Sequence, residues 1–192
     1  MESNKTYIIS DLNLFNEENM RGMGYTNFDA MNIEVVQNWN AVINPEDTVI
    51  VLGNVGNGDV NQLSSVIKKL NGILVLLSDE SKTRFTSIEW SLIGFFHAWS
   101  SPVYKSLNGT MICYTPLKIY DIDKFKSLFD IIVVDHNNPI EGIVHDILFS
   151  ADALKWKYSP LDIDCIPSIF EDMKEFESLK DSEYRSDIKE EE

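Results

Sequence analysis

The chain has 192 residues, 44% hydrophobic and 24% charged, a composition that suits one globular domain with a full core. Thirty-one acids against 16 bases leave a net charge of −15, so direct nucleic-acid binding is not expected, and basic partners or divalent cations are favoured instead. The longest apolar runs, TVIVLG and GILVLL, fall far short of the roughly 20 residues that span a bilayer, and the N-terminus lacks a basic-then-apolar secretion signal; a cytoplasmic protein without membrane contact is expected.

Taken in chain order, residues 6–10 read as a short buried strand ending in a polar turn, SDLNLFN, which puts Asp11 at the strand's C-terminal tip. A loop rich in Asn, Gly and Met follows. From Phe28 to Ile43 apolar residues recur at helical spacing, at Phe28, Met31, Val35, Trp39 and Val42, with Thr26 or Asn27 as the cap. NPEDTVIVLG supplies a turn and a second strand. Asp59 opens a helix with the apolar face Leu63, Val66, Ile67 and Leu70, and NGILVLL gives a turn and a third strand. Strands joined through helices by short connections predict parallel pairing with helices over the sheet.

Beyond residue 80 the text becomes strand-rich. MICYTPL, FDIIVVDH and GIVHDILFSAD are strand-like, and one helical stretch lies near residues 124–128. Near the end, IPSIFEDMKEFESLK has Ser168 as an N-cap, Glu171 as its capping-box partner and apolar Ile169, Phe170, Met173, Phe176 and Leu179, which predicts a docked helix. Residues 171–192 hold ten acids and four bases. One domain over residues 1–180 with an acidic tail over 181–192 is the expected organisation. Cys113 and Cys165 lie far apart, and a pair of reduced core thiols is expected. Phe95, Phe96, Trp99 and Tyr104 read as core or loop anchors, with a partner surface as the alternative.

The order of elements, together with SDLNLFN, QNWNAVINPEDTVIVLG, KKLNGILVL and ADALKWKYSP, resembles the calcineurin-like metallophosphoesterases, especially their small phage and bacterial members. The matches are collinear over most of the chain. The resemblance implies an α/β fold: a layered β-sandwich of the metallophosphoesterase type flanked by helices. In that family the strands end in Asp-X-His, Gly-Asp, Gly-Asn-His-Asp/Glu, a single His and Gly-His-X-His. These side chains hold two divalent metals and the water that attacks phosphorus.

Carried over residue by residue, the implied inventory is poor. Asp11 keeps the first carboxylate, but the next ligand falls on Asn13 and the bridging carboxylate on Asn54. The Gly-Asn-His block falls on SDESK, with either Asp79 to Lys82 or Ser78 to Ser81 as the aligned four; Asp79 and Glu80 are its acids. The late His falls on Tyr114, and in DHNN His136 survives while Asn138 takes the place of its partner. Exchanging a bridging carboxylate for an amide removes a unit charge beside two dications, worth on the order of 10 kcal/mol per metal at an effective dielectric near 20 before ligand reorganisation. No binuclear centre and no cofactor are therefore expected; at most one divalent cation binds weakly, with Asp11 and His136 as the weak candidates.

The function expected from this reading is binding of a partner protein by a catalytically inactive metallophosphoesterase-like chain, in the host cytoplasm if the protein is phage-encoded. The main alternative is a phosphodiesterase with a reduced single-metal site around Asp11, Asn54 and His136. A third reading, suggested by charge alone, is an acidic mimic of nucleic acid. The dull explanation of Asp11 and Asn13 is that they shape a turn after a strand.

Overall fold

The computed structural model describes residues 4–78, 84–99, 102–115, 122–134 and 147–175. The chain is mixed α/β, with two sheets flanked by helices. Strands β1 (Thr6–Ser10), β2 (Thr48–Leu52) and β3 (Ile73–Leu77) are nearly continuous apolar runs because they are covered on both faces. They pair in parallel, with Ser10 level with Leu52 and Leu52 level with Leu77, so their C-terminal tips share one rim. β4 (His97–Trp99) adds in parallel outside β3, and β9 (Leu161–Asp162) adds antiparallel outside β1.

A second sheet is built from β5 (Val103–Leu107), β6 (Thr110–Thr115), β7 (Ile131–Val134) and β8 (Leu148–Ser150) in that spatial order. β5 and β6 form an antiparallel hairpin, while β6, β7 and β8 are parallel. Alternate side chains explain the layering. Ile8, Leu52 and Leu77 of the first sheet share a core with Ile112, Tyr114, Ile131, Val133 and Phe149 of the second. The other face of the first sheet, with Tyr7, Ile9, Val49 and Val51, packs against the helices.

Those helices are α1 (Glu17–Gly22), α2 (Phe28–Asn40), α3 (Val60–Ile67) and α4 (Ser87–Ile93). Asn27 caps α2 by accepting from the Ala30 amide at 2.9 Å, and Asp59 with Gln62 forms a capping box at α3. α5 (Ile122–Lys126) lies before β7. A 3₁₀ turn at Ile163–Cys165 leads into α6, residues 166–175.

Several expectations are corrected. The helix expected to reach Ile43 ends at Asn40; Val42 is 38% exposed, and Ile43, beyond the helix, takes the core position. The polar loop after β1 contains α1, and the segment after residue 80 contains α4, held by a capping box between Thr86 and Glu89. The C-terminal helix starts before Ser168, which is an exposed residue inside it, because the preceding 3₁₀ turn already sets helical geometry and Pro167 suits a first turn. Phe176, Leu179 and the tail lie outside the described residues. Both cysteines are free, but only Cys113 is buried, and burial pushes its thiol up to about 11; Cys165 is exposed. Of the four aromatics, Phe95 is core, whereas Phe96, Trp99 and Tyr104 are exposed. Among the described residues, no helix is long and apolar enough to cross a membrane.

Candidate functional site

The rim at the tips of β1, β2 and β3 gathers Asp11, Asn13, Asn54 and Ser78. Pairing between the first two strands continues past their ends: the Asp11 amide donates to Leu52 O at 2.9 Å, the Asn13 amide to Asn54 O at 3.3 Å and the Leu14 amide to Val55 O at 3.0 Å. Three residues in this turn, Asp11, Asn13 and Phe15, have φ of 52°, 46° and 58°. Asp and Asn enter the left-handed region more readily than other non-glycine residues, whereas Phe does so rarely. Phe15 is held there by packing, its ring 5.4 Å from that of Phe28.

The side chains close on one another. Asn54 Nδ2 donates to Asn13 Oδ1 at 2.6 Å, and Asn13 Nδ2 donates to the Asp11 carbonyl at 3.1 Å. The Asn54 amide donates to Asp11 Oδ1 at 3.1 Å, and Asn54 Oδ1 accepts from the Gly56 amide at 3.2 Å. Asp11 is 1% exposed. Both amide oxygens and one carboxylate oxygen are thus turned toward protein hydrogens.

Gly56 has a structural reason to be glycine. Its φ is 152°, and a Cβ there would stand 2.2 Å from the Leu14 carbonyl oxygen, where Leu14 and Gly56 form an isolated bridge. Arg84 clamps the same loop, donating to the Gly56 carbonyl at 3.2 Å and to the Gly58 carbonyl, with its guanidinium 4.8 Å from the Phe85 ring centroid. Sequence reasoning missed Arg84, which sits 26 to 28 residues from its partners and carries no local signal.

Ser78 follows β3, its amide donating to Trp99 O at 2.9 Å. Tyr114 lies within β6, in the core between the sheets, and is 1% exposed. Its hydroxyl and that of Ser10 are buried without a hydrogen-bond partner among the described residues. Burial, with Asp164 and Cys113 nearby, holds the Tyr114 phenol well above its ordinary value. Asp79, Glu80, His136 and Asn138 lie outside the described residues.

Among the described residues the donor set fits a metal centre poorly. Asp11 supplies a carboxylate and Asn13 and Asn54 supply amides already bonded to each other or to backbone, while Asp152, bridged to Ser10, accepts from the Leu154 and Lys155 amides through one carboxylate oxygen. Among the described residues no group of three or more His, Cys, Asp or Glu is placed to hold a metal ion. What this arrangement does chemically is lock two loops together.

No protein-family model and no curated relative matches the chain. Among solved structures, the protein of unknown function AQ665 from Aquifex aeolicus is similar, with 19% identity and a TM-score of 0.63 over 87% of this chain and 100% of that one. At that identity the likeness shows the fold alone.

Proposed function

We propose that this chain is a metallophosphoesterase-like protein that has given up catalysis and works by binding a partner protein. The observation that carries the reading is the hydrogen bond between Asn54 and Asn13, 2.6 Å long, at the two positions where the resemblance expects metal ligands. An amide pair bonded in this way is a self-sufficient structural element. It replaces metal-mediated cohesion between the loops after β1 and β2 with direct bonds, and neither amide can serve as a general base toward water. The net charge of −15 supports a basic partner reached by electrostatic steering.

Affinity capture tests this. The intact tagged chain is immobilised and exposed to an extract of its source cell at low salt, and bound proteins are identified by mass spectrometry. A basic protein should be enriched, and its capture should weaken as salt rises, because exposed charges are screened over about 8 Å at physiological ionic strength. Deleting residues 181–192, which removes six acids and two bases, should flatten that salt dependence if the tail contributes. Failure to capture any protein under gentle conditions would overturn the binding reading.

A further inference from the structure

We infer that the groove between α2 and α3 is the docking site for a short amphipathic helix of the partner, carrying an aliphatic row with a basic residue at one end and an acidic residue at the other. This rests on the binding reading above.

The groove follows from how the two helices are joined. At their C-terminal ends an asparagine network staples them: Asn40 Nδ2 donates to Lys69 O at 2.8 Å, the Asn71 amide donates to Asn40 Oδ1 at 2.7 Å, and Trp39 Nε1 donates to Asn71 O at 2.9 Å. Away from that staple α3 packs on α4, and a groove of about 500 Å³ opens between α2 and α3. That volume lies within the range of natural ligand clefts and accommodates a few large side chains rather than a whole helix.

Its lining specifies an occupant. Ile33, Val36 and Val66 form an apolar floor and wall, and Ile33 is 59% exposed, an uncommon state for isoleucine. Asn32 also lines the groove, adding a polar side chain beside the apolar strip. Asp29 stands near the start of α2 and Lys69 at the level of Asn40, a separation of about 16 Å along the axis at 1.5 Å per residue. Neither is in an ion pair among the described residues. An apolar strip with a lone acid at one end and a lone base at the other complements a helix of about three turns with opposite charges at its two ends. A second copy of this chain would bring its own charge of −15 against the same field, which favours a different protein as the occupant.

The probe is a fluorescein-labelled, helix-stapled peptide of about 14 residues, long enough to span that separation. It carries leucines at i, i+4 and i+7, Lys at one end and Glu at the other, and is titrated with the full chain by fluorescence anisotropy. Saturable binding is expected, weakened roughly tenfold or more by Ile33→Glu, which places a charge on the apolar floor. Asp29→Lys should weaken it roughly threefold, and exchanging the peptide's Lys for Glu should restore binding to that variant. Circular dichroism of both variants should match the parent, since Asp29 and Ile33 are exposed; Ile33→Glu should melt with the parent, and Asp29→Lys slightly below it, because Asp29 is the acid in the first turn of α2. No saturable binding to the parent chain, or binding indifferent to Ile33→Glu, would overturn the site. A captured partner that ignores Ile33→Glu would also overturn the groove while leaving the binding reading intact.

Discussion

Asn54 Nδ2 and Asn13 Oδ1 meet at 2.6 Å across loops that are 41 residues apart in sequence. In this geometry Asn54 donates and Asn13 accepts; a carboxylate at position 54 has no donor, and Asn13 could answer it only by turning its own NH2 away from the Asp11 carbonyl. Asn54→Asp would set an acceptor against the Asn13 oxygen and a second carboxylate beside Asp11. Destabilisation of about 1–3 kcal/mol at neutral pH is expected from the unsatisfied pair. The new carboxyl should also have a raised folded-state pKa, through desolvation and the neighbouring charge. A raised acid pKa means that the folded state favours the proton, so the loss should be smaller near pH 4 and grow as pH rises through the carboxyl's titration. Urea unfolding of the variant and parent at both pH values checks magnitude and sign.

Asp47 governs the opposite end of the same strands. It is 3% exposed; burial pushes its carboxyl upward, but bonds from the Lys5 and Asn44 amides outweigh this and hold it below its ordinary range. Because the folded pKa is depressed, the stabilisation is present above the unfolded value near 3.9 and is lost as pH falls through the folded value. Asp47→Asn offers one acceptor for two amide donors and should cost about 1–3 kcal/mol at pH 7. The gap between variant and parent should narrow below about pH 4, as measured by chemical denaturation across that range.

Gly56 is expected to tolerate no side chain. Gly56→Ala meets the Leu14 carbonyl and must also hold a left-handed φ, so a loss of about 3 kcal/mol or more is expected, from strain and from breaking the bridge between the loops. Thermal unfolding compares this variant with Gly22→Ala, where a Cβ meets nothing within 4 Å and little change is expected.

Trp39 tests the asparagine staple behind α2. It is fully buried, and its indole N–H satisfies Asn71 O at 2.9 Å. Trp39→Phe leaves that carbonyl unpaired and a void beside it, and should cost about 2–4 kcal/mol in equilibrium unfolding.

The part of the fold legible in sequence is the part with strong periodicity. β1, β2 and β3 read as continuous apolar runs because both faces are covered, and α2 and α3 carried clear caps and stripes. Short helices were missed because six or seven residues give too few turns for a stripe, although the Thr86-to-Glu89 spacing was a usable signal for α4. At the site, the side-chain types at positions 11, 13 and 54 were readable, but their mutual bonding was not, since it depends on register between strands far apart in sequence. The left-handed geometry of Phe15 ran against its residue type, and tertiary packing decided it. Tyr114 falls where the resemblance expects a late His, yet its ring packs in the core between the sheets, because an aromatic at an inward-facing strand position gains from burial there.

The central claim is that the loops after β1 and β2 are held by amides in place of metal ions, and elemental analysis of the purified chain joined to a phosphodiesterase assay tests it most directly. After dialysis against Mn²⁺ and removal of free ion, no stoichiometric transition metal should remain, and hydrolysis of bis-p-nitrophenyl phosphate with added Mn²⁺ should equal the protein-free blank. About two metal ions per chain, as a binuclear phosphoesterase centre requires, or Mn²⁺-dependent turnover abolished by Asp11→Ala, would contradict the account.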